Sequence, residues 1–519
     1  MARKGSRKVR TGCLTCKIRK IKCDEGKPFC NRCTSTGRKC DGYSAEPATV
    51  LRWQRPQTLQ YEGSSSGDEE ARALQYYCER VAPVLAGPTN PYFWTHLVVQ
   101  FSNFEPAVKH SVIAIGLLYG DLEAGTDPHL DEVALRHYNA AIFELKPVQN
   151  KGLVLLVCLL FVCIELLQSN RDAAVRHCNH GLAILEISCS QPWIREHLLP
   201  IFRRLSLLPA MYGSPGHEFP DLAILRCPLP TAFADYGHAQ AAVDDLSNQT
   251  ALLVHHGEEY RVGALRREIP TPELLELQAA VSSSLSRWYA LFEDLDARCK
   301  YAPDTRIRGA PRAYMLMRYE VCSVWADTAF SADETAYDAH VDNLRKMVER
   351  ASKLAESLGG AAPPSFTFEG GFVPMLFFIS TKCRALDVRL EALRLMSAIG
   401  SPREVMMDRG ELRAIGRRVV ELEHGVGLDA WGQLQLTGPE SCMGLPPDQV
   451  RVRQYVPDQG IPWLCSGFQG TGPRAGFLMR TPEDAIYLHE EAMADIHPQY
   501  LLDATYESYS SSPGSSMDV

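Results

Sequence analysis

Six cysteines with a repeated spacing stand in the first 40 residues, and no other feature constrains the chain as much. They are Cys13, Cys16, Cys23, Cys30, Cys33 and Cys40. The unit Cys-x2-Cys-x6-Cys therefore occurs twice, while the other 11 of the 17 cysteines are scattered over the rest of the chain. The opening Met-Ala-Arg-Lys has no apolar segment after it, which favours a reducing compartment. Clustered cysteines in such a compartment indicate metal ligands rather than disulfides.

The number of sulfurs predicts how many ions the segment holds. A two-residue gap lets both thiolates of a pair bind one ion, and zinc prefers four ligands in a tetrahedron. Two separate tetrahedral ions need about eight sulfurs, so six suffice only if one cysteine of each repeat bridges both ions. A four-cysteine ribbon, an iron–sulfur run and a metallothionein-like store fit the spacing and the intervening basic residues less well. We therefore expect two Zn²⁺ ions as cofactors.

The charge of the chain is divided between its two ends. The net charge is −8, yet residues 1–60 hold 15 Lys and Arg against 4 Asp and Glu. The remaining residues hold 39 basic and 58 acidic side chains. This asymmetry indicates a basic arm that meets a polyanion and an acidic body that avoids it. The first partner that we expect is therefore double-stranded DNA.

The segment resembles the fungal binuclear zinc cluster family of transcription regulators. It matches that pattern at all six cysteines, in the stretch Cys-x2-Cys-Lys-x-Arg-Lys-x-Lys-Cys-Asp and in the Lys-Pro-x-Cys loop. The resemblance implies that Cys13 and Cys30 bridge the two ions and that Pro28 sets the turn between the repeats. Cys16 and Cys23 would complete one site, and Cys33 and Cys40 the other. It also implies a nuclear regulator of RNA polymerase II genes that reads a CGG-type triplet.

The residues after the first cysteine pair predict how DNA is read. A short helix over 17–22 would turn Ile18 and Ile21 toward the cluster and Arg19 and Lys20 away from it. Arg and Lys donate to the O6 and N7 acceptors of guanine, so Arg19 and Lys20 are the predicted base contacts. The second repeat has Thr34, Ser35 and Thr36 where the first has Lys-Ile-Arg, and is expected to support rather than read. The predicted phosphate contacts are Lys17, Lys22, Arg7, Lys8 and Arg10.

Composition divides the chain into four predicted parts. Residues 1–43 form the cluster, 44–70 a flexible linker rich in Ser, Pro, Gly and Gln, 71–499 a helical domain, and 500–519 a disordered acidic and Ser-rich tail. No sustained heptad series lies between Tyr43 and Tyr77, so a coiled-coil dimer element is not evident. This leaves open monomeric binding and pairing through the large domain.

Apolar residues at three- and four-residue spacing predict helix after helix beyond about residue 71. The best-marked are Glu105–Asp121, Asp131–Lys146, Leu153–Gln168 and Arg171–Ile187, the last with Asn170 as its N-cap. The apolar run 153–164 is too short for a membrane span and is expected to be a buried helix. The stretches 108–119, 158–165 and 177–182 also resemble the helical regulatory region of fungal regulators, often of metabolic or secondary-metabolite gene sets, and this resemblance covers residues 75–210. The predicted fold is mostly α: a small two-zinc module followed by a large all-helical domain.

Catalytic signatures are not evident, so we do not expect an enzyme. His177 and His180 could share a metal, but no third ligand is apparent, and His489-Glu-Glu-Ala-Met lacks the second histidine of a zinc protease helix. Gly467-Phe-Gln-Gly-Thr-Gly is expected to be a loop. We expect the transcription machinery or co-regulators as further partners, and we do not expect the protein to bind a membrane. Two alternatives remain: an enzyme or small-molecule binder that uses the cluster as an address, and a chromatin scaffold that binds DNA without selecting sites.

Overall fold

A computed structural model describes most of the chain. The described residues are 13, 15–16, 19, 21–26, 29–40, 65–126, 131–208, 223–299, 309–429, 432–435, 444–457 and 473–497. The chain divides into two compact units, residues 1–61 and 62–519, here called the cysteine unit and the helical unit. The predicted linker residues 44–64, the predicted tail and the Gly467–Gly472 stretch lie outside the described residues.

Helices account for most of the described structure. They are α1 (Asn31–Thr34), α2 (Ser65–Tyr76), α3 (Ala82–Leu85), α4 (Val99–Ser102), α5 (Pro106–Ala124), α6 (Glu132–Leu145), α7 (Lys151–Leu167), α8 (Arg171–Glu186), α9 (Pro192–His197), α10 (Leu199–Leu205), α11 (Tyr236–His256), α12 (Glu258–Arg261), α13 (Pro272–Cys299), α14 (Gly309–Thr328), α15 (Val341–Leu358), α16 (Val373–Lys382), α17 (Leu386–Ile399), α18 (Arg409–His424) and α19 (Met493–Ile496). Wider helical turns at Tyr77–Val81 and Phe93–Val98 lead into α3 and α4, and 3₁₀ turns lie at Ala223–Leu225, Glu334–His340 and Asp448–Val450.

The first unpredicted feature is the start of α2 at Ser65, inside the segment expected to be a flexible linker. Glu70, in the second turn of this helix, forms an ion pair of 3.2 Å with Lys109 on α5. The same helix contacts α5 along its length, and the backbone of Ala73 lies close to Gly116. Tertiary contacts of this kind override the low helix propensity of a Gly- and Ser-rich start.

The four helices predicted best from sequence are present as α5 to α8. Helix α7 is buried on all sides from Gly152 to Leu167 except at Val154, as expected for a run with a continuous apolar surface. Its one acidic residue, Glu165, accepts a hydrogen bond of 2.6 Å from the Tyr138 hydroxyl of α6. Helix α8 begins as predicted, because the Asn170 side chain accepts from the backbone N–H of Ala173.

Helix α14 organises the middle of the helical unit because it contributes to two cores. Met317 and Val324 pack into one core with α15, α16 and α17, while Leu316 and Cys322 pack into another with α11 and α13. The second core is centred on Trp288, whose ring stacks on Phe292 at 4.8 Å. A helix buried on both sides in this way needs apolar residues around most of its circumference.

Short strands lie between the helices and form only small sheets among the described residues, so the predicted, mostly helical fold is confirmed. They are β1 (Phe366–Thr367), β2 (Arg403–Glu404), β3 (Met407–Asp408), β4 (Gly427–Leu428), β5 (Leu434–Gln435), β6 (Gln454–Pro457), β7 (Arg474–Arg480) and β8 (Ile486–Ala492). The largest sheet is an antiparallel meander of β6, β7 and β8, in which Phe477 of β7 pairs with Tyr455 and His489. One face of β7 packs against α18. His489 therefore lies on a strand, away from any protease-like helix.

In the part of the chain that the structure describes, no helix combines the length and the apolar character that a membrane span requires.

Candidate metal centre and nucleic-acid interface

The six cysteines converge in the cysteine unit. Their sulfurs form two sets of four, Cys13, Cys16, Cys23 and Cys30, and Cys13, Cys30, Cys33 and Cys40, each with all its sulfurs within 4.8 Å of one another. The sulfurs of Cys13 and Cys30 belong to both sets and lie 3.5 Å apart. Four sulfurs at such distances can bind one tetrahedral Zn²⁺, so the arrangement fits two ions that share two ligands.

The two repeats fold alike, at an offset of 17 residues. The N–H of Cys16 donates to the Cys13 sulfur at 3.4 Å, and the N–H of Cys33 donates to the Cys30 sulfur at 3.3 Å. Each repeat then closes a wider turn with a hydrogen bond between residues five apart: Ile21 N–H donates to the Cys16 carbonyl in the first repeat, and Arg38 N–H donates to the Cys33 carbonyl in the second. The same local hydrogen bonds thus aim the first two sulfurs of each repeat at one centre.

Asp24 joins the two repeats, and the sequence interpretation missed its role. Its carboxylate accepts the backbone N–H groups of Asn31 and Arg32, both at 2.9 Å, at the start of α1. These bonds, led by that of Arg32, lower the pKa of Asp24. A sequence signal was present, because an Asp follows the third cysteine of each repeat, as Asp24 and Asp41. Asp41 lies outside the described residues.

The buried thiols of the cluster resist deprotonation when no cation is bound. Burial raises the pKa of Cys13 to about 12 and raises the pKa values of Cys16 and Cys30 as well. Without a metal these groups would stay protonated at neutral pH. A bound Zn²⁺ ion deprotonates the thiols that coordinate it, and the N–H···S bonds described above stabilise the resulting thiolates.

The predicted reading helix is shorter than expected. A helical turn at Thr15 and Cys16 is closed by the Arg19 N–H, which donates to the Thr15 carbonyl at 3.1 Å. By Ile21 and Lys22 the chain is no longer helical, and Ile21 is 38% exposed instead of facing the cluster. The chain must turn away from the helical direction to bring Cys23 back to the other sulfurs, which corrects the expectation of a helix through Lys22.

The predicted DNA contacts fall into three groups. Lys22 is exposed, as a phosphate contact requires, whereas Arg19 is half-buried and its Nη1 atom is enclosed. Lys20, Lys17, Arg7, Lys8 and Arg10, together with Ile18 and Pro28, lie outside the described residues. The second repeat adds three exposed basic side chains beyond the predicted DNA contacts: Arg32, Arg38 and Lys39.

The histidine pair of the helical unit is not brought together with further ligands. His177 is held by the Tyr138 hydroxyl, 3.1 Å from its Nε2 atom, and lies 3.8 Å from Glu165. His180 is exposed. Among the described residues, only the two cysteine sets bring three or more possible metal ligands within 4.8 Å of one another. The chain is thus a zinc-cluster protein with a large helical body.

Comparison with known proteins identifies the family. Residues 11–48 match the fungal Zn(2)-Cys(6) binuclear cluster domain. The chain is 30% identical over 404 residues to the aspercryptin biosynthesis cluster-specific transcription regulator atnN of Emericella nidulans, covering 68% of this chain and 65% of that protein. The chain carries the cluster domain of the fungal Zn(2)-Cys(6) transcription regulators, and this domain binds two zinc ions.

Two further relatives are similar to this chain over shorter lengths. An uncharacterized transcriptional regulatory protein of Schizosaccharomyces pombe is 27% identical over 259 residues, 44% of this chain and 45% of that protein. The transcriptional regulatory protein moc3 of the same organism is 65% identical over 44 residues, 8% of this chain and 9% of that protein. The chain therefore spans less than two thirds of the length of these relatives. No enzyme family is indicated, and no solved structure matches.

Proposed function

We propose that the protein is a nuclear, sequence-specific DNA-binding regulator of RNA polymerase II genes that reads a CGG-type triplet through its cysteine unit. The observation that carries the proposal is the pair of four-sulfur sets sharing Cys13 and Cys30. A unit built on two ions that share two sulfur ligands holds its basic side chains in fixed positions relative to one another. Reading a DNA sequence requires such fixed positions. Co-regulators or the transcription machinery would then contact the helical domain that the sequence predicts over residues 71–499.

We assign all six cysteines as ligands, with Cys13 and Cys30 bridging. Support comes from geometry, because these two sulfurs are the ones common to both sets. Further support comes from the repeat itself: each bridging sulfur accepts an N–H bond from the second cysteine of its own repeat. Cys16 and Cys23 then complete one site, and Cys33 and Cys40 complete the other.

We assign base contacts to Arg19 and Lys20, and phosphate contacts to Lys17, Lys22, Arg7, Lys8 and Arg10. Selection of binding sites from random duplexes, with the zinc-loaded chain at a stated salt concentration, tests this assignment. We expect a common CGG-type triplet. Arg19→Ala or Lys20→Ala should relax preference at one position by about 1–3 kcal/mol, whereas Lys22→Ala should weaken all duplexes alike and reduce the salt dependence.

Recovery of no common triplet would contradict sequence-specific reading. Identical behaviour of the Arg19→Ala and Lys22→Ala variants would contradict the division between base and phosphate contacts. Arg394→Ala, in an exposed ion pair of the helical unit, is the matched control and should leave the selected sites unchanged.

A second candidate is a chromatin-bound scaffold that binds DNA without selecting sites. The enclosed Nη1 atom of Arg19 favours it, because a guanidinium that is partly covered presents fewer donors to a base edge. The exposed Arg32, Arg38 and Lys39 would then supply affinity to phosphates alone. The selection described above separates the two candidates.

We also propose that the genes controlled belong to a metabolic or secondary-metabolite set. Support comes from atnN, whose name assigns it to a biosynthesis cluster, and from an alignment far longer than the zinc-cluster domain. The similarity therefore extends into the helical unit. Comparison of transcripts after deletion of the gene tests this: coordinated loss or gain of neighbouring biosynthetic transcripts is expected, and unchanged metabolic transcripts would contradict it.

A further inference from the structure

A cleft of about 430 Å³ opens in the helical unit, where the chain following the Ala223–Leu225 turn passes α11 and α13. This volume lies in the range of small-molecule sites. Leu229 and Leu246 contribute apolar surface, and Asp245, Gln249 and Ser284 contribute polar groups. Nothing in the zinc chemistry of the cysteine unit uses these residues.

Asp245 is the unusual residue of this cleft. It is only 3% exposed, and its Oδ2 atom accepts from the Cys227 N–H at 2.9 Å and from the Gln249 amide at 3.0 Å. Its Oδ1 atom is buried and has no hydrogen-bond partner among the described residues. A buried carboxylate oxygen without a donor is costly, and native structures satisfy such atoms with protein, water or ligand. Burial accordingly raises the pKa of Asp245.

Two arginines line the same cleft in exposed positions, Arg226 and Arg287. The Nη2 atom of Arg287 donates to the Pro230 carbonyl at 2.9 Å, which holds the guanidinium at the rim. A guanidinium has five N–H donors in a planar fork, so most of its donors can turn toward an anion. The cleft thus joins a buried negative group to positive groups at its mouth.

We propose that this cleft binds a small zwitterion of the amino-acid type. Its ammonium group would donate to the Oδ1 atom of Asp245, and its carboxylate would accept from Arg226 and Arg287. The ammonium satisfies the buried oxygen and neutralises its charge, which a carboxylate or an apolar ligand cannot do. Because α11 and α13 share the core around Trp288, the ligand would connect the loop at 226–229 to that core and stabilise the helical unit.

Calorimetric titration of the full, zinc-loaded chain with free L-amino acids tests the proposal. We expect at least one amino acid to bind saturably. Its N-acetyl derivative, which lacks the ammonium group, should bind with an affinity lower by on the order of tenfold or more. Asp245→Asn should cause a loss of similar size. Arg287→Gln should weaken binding severalfold, and Arg394→Gln, in an ion pair of another surface, should leave it unchanged.

Three results would overturn the proposal. The first is no saturable binding of any amino acid up to on the order of 10 mM, which would leave the cleft to water. The second is an α-hydroxy acid that binds as tightly as the matching amino acid, since Asp245 would then receive a hydroxyl. The third is binding that Arg287→Gln leaves unchanged. The comparison of acetylated and free ligands on the native chain decides the role of Asp245 even if Asp245→Asn does not fold.

Discussion

The cysteine unit and the helical unit are each stabilised internally by a different kind of interaction. Among the described residues of the cysteine unit, the buried apolar cluster consists of cysteines alone, while Ile21 and Phe29 are 38% and 56% exposed. The helical unit instead buries large side chains such as Trp94, Trp288 and Phe202. A unit without an apolar core folds only with its metal ligands occupied, whereas the helical unit has a large apolar core. Metal removal should therefore destabilise the cysteine unit, and substitution of buried side chains should destabilise the helical unit.

Zinc removal should have the largest effect, and only on the cysteine unit. With a strong chelator we expect complete loss of ordered structure there and of specific DNA binding, because two ions replace the missing core. The thermal unfolding of the helical unit should not change. Metal content, DNA binding and unfolding followed by circular dichroism measure the three quantities on one sample.

Single cysteine variants sharpen the same comparison. Cys30→Ser removes a sulfur common to both sets and should release both ions, whereas Cys40→Ser should release one more readily than the other. Cys189→Ser, in the helical unit, is the control and should retain two ions per chain. Equal zinc loss from Cys30→Ser and Cys40→Ser would argue against bridging by Cys30.

Glu423→Ala should cause the largest change that is confined to the helical unit. Glu423 is 5% exposed and its carboxylate binds Arg384 at 3.0 Å and Arg389 at 2.6 Å. Removing this carboxylate leaves the buried guanidinium of Arg389 without its ion-pair partner, while Arg384 keeps its pair with Glu334, at a cost of about 3–5 kcal/mol of unfolding free energy. Glu391→Ala breaks an exposed pair with Arg394 and should cost less than about 1 kcal/mol. Denaturant unfolding measures both.

The pH dependence of the helical unit follows from the same group. Burial favours the neutral carboxyl, but Arg384 and Arg389 outweigh it and lower the pKa of Glu423 to about 2. The stabilisation is therefore fully present above the ordinary glutamate range and is lost as pH falls toward the folded value. Loss of stability between about pH 5 and pH 2 should be smaller in Glu423→Ala than in the native chain.

The sequence predicted the cysteine unit well because its information is local. Spacing alone brings Cys13 and Cys16 to one ion, and the count of six requires sharing. The extent of the reading helix was not predictable in this way, since Ile21 and Lys22 leave the helix to return the chain to Cys23. Helical periodicity predicts which side chains share a face but not where a helix ends. Here the position of the cysteine sulfurs determines where the predicted helix over residues 17–22 ends.

The helical unit was predictable in its elements but not in its sheets or its charges. Strand β7 carries the apolar run Ala475–Met479 between Arg474 and Arg480, which could have indicated a buried strand. The carboxylate of Glu423 is bound by Arg384 and Arg389, which lie more than 30 residues away. Partners at such separations are set by tertiary packing that a sequence pattern does not contain.

Close packing in the helical unit predicts opposite effects for two glycine substitutions. A Cβ at Gly181 would lie 2.4 Å from the ring of Phe202, which is fully buried, so Gly181→Ala should destabilise by about 1–2 kcal/mol despite the higher helix propensity of Ala. A Cβ at Gly120 would meet only Tyr76, at 3.7 Å. Gly120→Ala should be neutral or stabilise by up to about 1 kcal/mol. Zinc content should be unchanged in both.

The smallest effect expected is the loss of a helix cap. The Asn170 side chain accepts from the Ala173 N–H at 3.3 Å at the start of α8, so Asn170→Ala should cost about 1 kcal/mol of unfolding free energy. Gln191 occupies the same position before α9 without a side-chain bond, and Gln191→Ala should change stability by less than about 0.5 kcal/mol. Equal effects of the two variants would mean that packing against α7, rather than the cap, fixes the start of α8. Neither variant should alter zinc content or DNA binding, because neither touches a sulfur.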